Sequence, residues 1–234
     1  MKKILVGILT ALTLYGCNGN AQQIKNKKMK LIYVMDPLCG WCYGNSTNTQ
    51  HLFDKYKNQI DFEILPAGMW VGENARKQSK PMAQFIQKHD LQIQQATGTA
   101  FGPNYFKFVE NENIVLDSEI PSRAIVAVKK IWATQAVPFA IEVQKARYLH
   151  AKDLNDDATY LSICENLKLD KNQFLEAFHS QAIKKETQET FVLAQQYARS
   201  YPTLLAEKEG KIYTLEQGFA PIEGILKQID SLLK

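Results

Sequence analysis

A pair of cysteines three residues apart, Cys39 and Cys42, lies near the start of the chain in the run YVMDPLCGWCYGNS. The stretch before the pair, Lys30 to Asp36, is apolar and rich in β-forming residues, which predicts a buried strand. After it, up to about Lys57, apolar residues recur at helical spacing, so a helix is expected to begin at the cysteines. The pair is therefore predicted to lie at the start of a helix that directly follows a strand.

A C-x-x-C pair at a helix start can be a redox couple, half of a metal site or two inert core thiols. Unpaired N–H groups at the helix N-terminus favour a Cys39 thiolate, and Cys42 one turn later is close enough to form a disulfide with it. A metal would need two more ligands, but the other cysteines, Cys17 and Cys164, and the four histidines stand singly. Two inert thiols at this spacing would oxidise to each other in an oxidising compartment, so the pattern favours the redox couple.

The rest of the chain shows strands at both ends and helices between them. Residues 61–68 form a second strand-like run, which completes a β-α-β unit with parallel strands. From about residue 79 to 200 the apolar pattern is helical; one helix is expected from Ile120 to Ala133, with Ser118 as its N-cap and Pro121 in its first turn. Two short apolar runs, 203–206 and 212–215, then predict a hairpin, and residues 221–234 predict a closing helix.

The N-terminus has the pattern of an export signal. Lys2 and Lys3 precede an apolar stretch of about 12 residues, shorter than the ~20 that cross a bilayer as a helix. The ending Leu-Tyr-Gly-Cys looks like a bacterial lipoprotein box, in which Cys17 is lipidated; the alternative is an ordinary signal peptide cut near Ala21. The polar residues 17–28 then form a tether, and the folded part is expected outside the cytoplasm, in the cell envelope or periplasm.

The net charge and the distribution of basic residues do not indicate a nucleic-acid partner. The formal net charge is +4, and it falls to +2 when Lys2 and Lys3 are removed with the signal. Hydrophobic residues at 45% and charged residues at 22% are ordinary for a globular chain. No basic run with interleaved aromatic residues is present.

A second motif, Tyr201-Pro202-Thr203, directly precedes the first hairpin strand. A proline at this point can simply stop the preceding helix. Together with an upstream C-x-x-C, it predicts instead a cis-proline loop that faces the cysteines. In that loop the backbone of Tyr201 would offer strand-like hydrogen bonds to an incoming peptide.

The run DPLCGWCYG near the start, SYPTLL near the end and the helices between them resemble the DsbA family of bacterial thiol-disulfide oxidoreductases, most closely its FrnE-like branch. The resemblance implies an α/β thioredoxin-like fold with a large inserted all-helical domain. It implies Cys39 as nucleophile, Cys42 as resolving cysteine and Pro202 as cis-proline. The expected divisions are a signal at 1–16, a tether at 17–28, thioredoxin-like parts at 29–78 and 183–234, and a helical insertion at 79–182.

Two departures bear on the direction of exchange. The best-studied DsbA enzymes have proline and histidine between the cysteines, where this chain has Gly40 and Trp41; Gly40 is expected to add no constraint, and Trp41 cannot titrate. Those enzymes also have a buried glutamate where Tyr33 stands here. Both changes argue against a very strong oxidant, but potentials in thioredoxin-like enzymes span about 150 mV, so the direction stays open.

The leading prediction is an envelope thiol-disulfide oxidoreductase that acts on exported proteins with cysteines and exchanges electrons with an unidentified redox protein. Gly40, Trp41 and Tyr201 would contact the substrate; no cofactor or metal is expected. One alternative is a glutathione-dependent isomerase or transferase that acts on a small aromatic substrate. In it, aromatic residues would line a pocket rather than pack between the two parts; they are Trp70, Phe101, Tyr105, Phe106 and Phe108. A second alternative is a surface lipoprotein with a purely structural disulfide.

Overall fold

The computed structural model describes residues 29–234 and has a mixed four-stranded sheet at its centre. The strands run in the order β2-β1-β5-β6. The central strand β1 pairs in parallel with β2 on one side and antiparallel with β5 on the other. The strands of this sheet are β1 (Met29–Met35), β2 (Asp61–Pro66), β5 (Thr203–Lys208) and β6 (Lys211–Gln217). The β5–β6 hairpin turns through Glu209 and Gly210, both with positive φ, and confirms the predicted hairpin.

Strand β1 is buried on both faces, which explains its unbroken apolar sequence. Alternate residues Ile32 and Val34 pack with Ala194 and Ala198 from the long helix near the C-terminal end of the chain. Leu31, Tyr33 and Met35 point to the other face, into the main core. This burial predicts that one polar residue introduced into β1 would disrupt one of the two layers.

Helices cover both faces of the sheet and fill the segment between β2 and β5. They are α1 (Gly40–Gly44), α2 (Ser46–Tyr56), α3 (Lys80–Thr97), α4 (Tyr105–Phe108), α5 (Glu119–Ile131), α6 (Ala136–Tyr148), α7 (Asp157–Asn166), α8 (Lys171–Phe178), α9 (Gln181–Tyr197) and α10 (Ile222–Leu232). Pro121 lies in the first turn of α5, as predicted. A short antiparallel pair, β3 (Arg76–Lys77) with β4 (Val115–Leu116), also joins the ends of the α3–α4 segment. Two-residue strands have no periodicity, so this pair could not be predicted from the sequence.

One apolar core continues from the sheet into the helices of the inserted segment. Leu31 and Leu52 belong to the same buried cluster as Phe139 and Phe174. The predicted fold class, an α/β thioredoxin-like fold with helices inserted between its two halves, is confirmed. The exact division at residues 79 and 182 stays a prediction.

One local prediction was wrong, and one was confirmed only in part. The helix predicted from Cys39 to Lys57 is split into α1 and α2 at Asn45, whose side chain bonds to Glu216 on β6. Ser118 is the N-cap residue of α5, as predicted, but its hydroxyl makes no capping bond, because its oxygen accepts from the Trp70 backbone N–H while it donates to Asp36.

The predicted signal, the tether and the lipidation residue Cys17 lie outside the described residues. Within residues 29–234, no helix is both long enough and apolar enough to cross a membrane.

Candidate active site

Cys39 is the N-cap residue of α1, with φ −90° and ψ 116°, so the helix begins directly after it. Its sulfur accepts a hydrogen bond from the backbone N–H of Cys42, with a sulfur–nitrogen distance of 3.4 Å. An N–H group aimed at the sulfur stabilises negative charge there. Cys39 is buried, at 8% exposure, but it lies nearer to the surface than Cys42 and is the more accessible cysteine of the pair.

Cys42 is fully buried behind Cys39, at 0% exposure. Burial, followed by its hydrogen bond to Cys39, raises the pKa of the Cys42 thiol well above its ordinary value. In the reduced protein, Cys42 is therefore a protonated thiol. Both cysteines are free thiols in this structure.

The loop with Tyr201 and Pro202 lies against Cys39, although the two sites are 162 residues apart in sequence. The Tyr201–Pro202 peptide bond is cis, as predicted. The Cys39 thiol donates to the Tyr201 carbonyl at 3.6 Å, and the Pro202 carbonyl accepts from the Gly218 backbone N–H at 2.8 Å. This geometry holds the backbone of Tyr201 beside the sulfur that would meet a substrate.

Gly40 packs directly against helix α3, which limits the room for a side chain at this position. A Cβ at Gly40 would lie 2.7 Å from Oδ1 of Asp90 and 2.9 Å from Cδ1 of Ile93. One turn later, a Cβ at Gly44 would lie 2.5 Å from Cγ2 of Ile93. The two glycines thus let α1 and α3 approach closely, and a larger residue at Gly40 would require the Asp90 and Ile93 side chains to shift.

Asp36 ties the cysteine turn to the inserted helices. It is fully buried, and its Oδ1 accepts from the Leu38 backbone N–H at 2.9 Å and from the Ser118 hydroxyl at 3.0 Å. Its Oδ2 accepts from the Met69 backbone N–H at 2.7 Å. Burial raises the pKa of Asp36 to about 7, although these hydrogen bonds favour the charged form.

A second buried carboxyl, Glu216 on β6, lies on the sheet side of the pair. Tyr33 on β1 is level with Leu204 on β5, and Leu204 is level with Glu216, so these side chains form one row across the sheet. The Asn45 amide donates to Oε2 of Glu216 at 2.8 Å and to the Tyr33 hydroxyl at 3.5 Å. Burial raises the pKa of Glu216 to about 7.

A cavity of about 220 Å³ opens beside Cys39 on the side of the inserted helices. Apolar and aromatic side chains make up most of its wall, and Asp90, His89 and Arg147 are its ionisable groups besides Cys39 and two tyrosines. Trp41 also lines the cavity, and its ring faces Phe219, with ring centroids 6.4 Å apart. The cavity gives a substrate side chain a place next to the sulfur.

The aromatic residues considered for a substrate pocket divide into two groups. Trp70 and Tyr105 line the cavity. Phe101 and Phe106 instead pack with Tyr105 in a separate aromatic cluster, and Phe101 is 7% exposed. Phe108 contacts the Arg147 guanidinium, 5.4 Å from its ring centroid. Phe101 also packs on Tyr43 of α1, with ring centroids 5.1 Å apart, so much of this aromatic content packs within the inserted helices and against α1.

Cys164 differs from the Cys39–Cys42 pair in its surroundings. It is fully buried in α7, and burial raises the pKa of its thiol to about 11. A thiol of this kind reacts slowly. Among residues 29–234, no group of three or more His, Cys, Asp or Glu side chains could hold a metal ion.

A family model described as Thioredoxin matches residues 32–211. The chain belongs to this thioredoxin family. The match extends from β1 through the inserted helices to the β5–β6 hairpin, so it includes both cysteines and the cis-proline.

Solved structures similar to the chain are disulfide oxidoreductases. A Nitrosomonas europaea protein, proposed to be a protein disulfide isomerase, is 25% identical, with a TM-score of 0.77 over 88% of this chain and 98% of that one. The cytosolic disulfide reductase DsbM from Pseudomonas aeruginosa is also 25% identical, with a TM-score of 0.74 over 87% and 98%. DsbA from the same organism, at 16% identity over 88% and 83% with a TM-score of 0.51, shares the fold.

One curated relative is the ClpXP adapter protein SpxH of Bacillus subtilis, 21% identical over 172 residues. The match covers 74% of this chain and 54% of SpxH, so the chain spans about half the length of that relative.

The structure brings all the predicted site residues within residues 29–234 into one region: Cys39, Gly40, Trp41, Cys42, Tyr201 and Pro202. Asp90, Asn45 and Glu216 also belong to the site but were not predicted from the sequence. Asp90 lies in an amphipathic helix with ordinary polar neighbours, and Glu216 lies in a short strand, so neither has a local pattern that indicates a site.

Proposed function

We propose that the protein is an envelope thiol-disulfide oxidoreductase of the DsbA family, nearest to its FrnE-like branch, which exchanges disulfides with exported proteins. The observation that carries the proposal is the accessible Cys39 sulfur, which accepts an N–H bond at a helix start and faces the Tyr201–Pro202 loop, with Cys42 buried behind it. The similarity to disulfide oxidoreductases supports the same chemistry.

The exchange needs two thiols and no cofactor. The Cys39 thiolate attacks a substrate disulfide, forms a mixed disulfide and releases one substrate thiolate. Cys42 then loses its proton and attacks the Cys39 sulfur, which releases the second substrate thiolate and leaves a Cys39–Cys42 disulfide. Run backwards, the same two steps oxidise a substrate dithiol.

The proposed location rests on the N-terminal pattern, with anchoring to a membrane through a lipid on Cys17. DsbM, in contrast, is described as cytosolic. Metabolic labelling with a palmitate analogue tests the anchor, because wild-type protein is expected to carry the label and Cys17→Ser to lack it. An unlabelled wild-type protein found in the soluble envelope fraction would favour an ordinary signal peptide instead.

The activity is tested by catalysed reduction and oxidation of a disulfide-containing protein in a glutathione buffer. We expect Cys39→Ser to fall to the uncatalysed rate, because a serine hydroxyl cannot take part in disulfide exchange. Cys164→Ser is the matched control and is expected to keep the wild-type rate. Catalysis that survives in Cys39→Ser would overturn the proposal.

A second candidate is a glutathione-dependent isomerase or transferase acting on a small aromatic substrate. The aromatic cavity beside Cys39 favours it, and DsbM, which has the same fold, has been solved with glutathione. Such an activity would not require Cys42. A glutathione-dependent reaction of an aromatic substrate that is unchanged in Cys42→Ser would therefore support this candidate over the first.

A further inference from the structure

Asp90 is a buried carboxylate that the inserted helix α3 places next to the cysteine turn. It is 3% exposed and lines the same cavity as Cys39. A Cβ at Gly40, the residue directly after Cys39, would lie 2.7 Å from Oδ1 of Asp90, so a side chain there would force Asp90 to shift. Asp90 of the inserted helix α3 therefore contacts the first turn of α1.

The groups around Asp90 hold its carboxylate in place and favour its charged form. The Tyr105 hydroxyl from α4 donates to Oδ2 at 2.7 Å, and Nδ1 of His89 from α3 lies 3.5 Å from Oδ1. The Arg147 guanidinium from α6 adds a positive charge nearby. Burial raises the pKa of Asp90, whereas these three groups lower it.

Arg147 is buried and contacts other side chains around the inserted segment. It is 3% exposed, its Nη2 lies 3.4 Å from Oε1 of Gln78, and the rings of Tyr105, Phe108 and Tyr148 surround its guanidinium. Arg147 and Asp90 both line the cavity, and Asp90 is the acidic group among the side chains that line it together with Cys39.

We propose that Asp90 makes the Cys39–Cys42 couple more reducing, because its carboxylate opposes negative charge on the Cys39 sulfur. The inference rests on the proposed oxidoreductase function and assigns part of its redox direction to the inserted helix. A negative charge beside a thiolate raises the free energy of the reduced form, and a couple whose reduced form is less stable is a weaker oxidant.

The equilibrium with glutathione measures this effect directly. Two glutathione molecules reduce the Cys39–Cys42 disulfide: one S–S bond breaks, one forms in glutathione disulfide, and two electrons pass to the protein. The two glutathione protons go to Cys42 and to Cys39, or to solvent where Cys39 stays a thiolate.

The test compares wild-type protein with Asp90→Asn, which keeps the size and an acceptor for Tyr105 but removes the charge. We expect the equilibrium to shift about tenfold toward the dithiol, equivalent to about 30 mV. Asp54→Asn is the matched control, since it removes one exposed carboxylate on α2 and is expected to stay within twofold of wild type. An Asp90→Asn equilibrium that matches the control would overturn the inference.

The pH dependence separates charge from shape. As the pH falls, wild-type Asp90 becomes protonated, so wild-type and Asp90→Asn equilibria are expected to converge; a difference that stays constant with pH would contradict a charge effect. Should Asp90→Asn not fold, Tyr105→Phe is the second variant. It removes the donor to Oδ2, which raises the pKa of Asp90 and lowers the fraction of Asp90 that is charged, so we expect a smaller shift in the same direction. No shift would contradict the inference. Wild-type protein that does not exchange with glutathione at all would instead count against the proposed function.

Discussion

The two sides of the cysteine pair are built differently. The side of Cys39 faces the inserted helices across a mostly apolar cavity, where Gly40 lies against Asp90. The side of Cys42 faces the sheet, where Asn45 links Tyr33 to the buried Glu216. The thioredoxin part thus supplies the thiols and a polar network behind them, and the inserted part supplies the surface that an incoming substrate would meet.

This difference shows how one fold can change its redox behaviour. The thiols, the cis-proline loop and the sheet form one unit within the thioredoxin part. The carboxylate of Asp90 lies on an inserted helix, outside that unit. If the proposed effect of Asp90 holds, the direction of exchange depends on residues outside the C-x-x-C run as well as within it.

The largest expected effect concerns the pH dependence of stability that comes from Glu216, on the sheet side of the cysteine pair. Glu216 has a pKa of about 7 in the folded protein against an ordinary value of 4.5, so between these values the folded state binds more protons than the unfolded state. Stability from this group is therefore present at low pH and is lost as the pH rises from about 4.5 to about 7. Urea unfolding at pH 5 and pH 8 should show a loss of up to about 3 kcal/mol in wild type that Glu216→Gln lacks.

Other carboxyls, including Asp36, are present in both proteins, so their contributions cancel when the two pH differences are subtracted. An equal change with pH in wild type and Glu216→Gln would show that Glu216 titrates normally. The sheet side would then hold no shifted carboxyl at that position.

A smaller effect tests the contact between α1 and α3. Gly44→Ala would place a Cβ 2.5 Å from Ile93, so we expect it to lower the free energy of unfolding by about 2 kcal/mol through overpacking. Gly224→Ala in α10 is the control: nothing lies within 4 Å of its Cβ position, and alanine should stabilise that helix by up to about 1 kcal/mol. Thermal or urea unfolding compares the two, and a stabilising Gly44→Ala would show that the helices separate freely.

The sequence predicted the sheet, most helices and the cysteine–proline site because each has a local pattern. Cys39 and Cys42 have their spacing, and Tyr201-Pro202 directly precedes a strand. The constraint on Gly40 could not be predicted, because it arises from Asp90, 50 residues later, on a helix whose docking is a tertiary property. Ser118 is the predicted N-cap residue, but the bonds of its hydroxyl to Trp70 and Asp36 could not be predicted, because both partners lie far away in the sequence.

The central claim is that Cys39 attacks and Cys42 resolves. Incubation of single-cysteine variants with a disulfide-containing peptide, followed by intact-mass analysis, tests it most directly. We expect Cys42→Ser to accumulate a mixed disulfide with the peptide through Cys39, because the resolving thiol is gone, and Cys39→Ser to accumulate none through the fully buried Cys42. Adduct on Cys39→Ser but not on Cys42→Ser would reverse the roles, and no adduct on either variant would contradict the account.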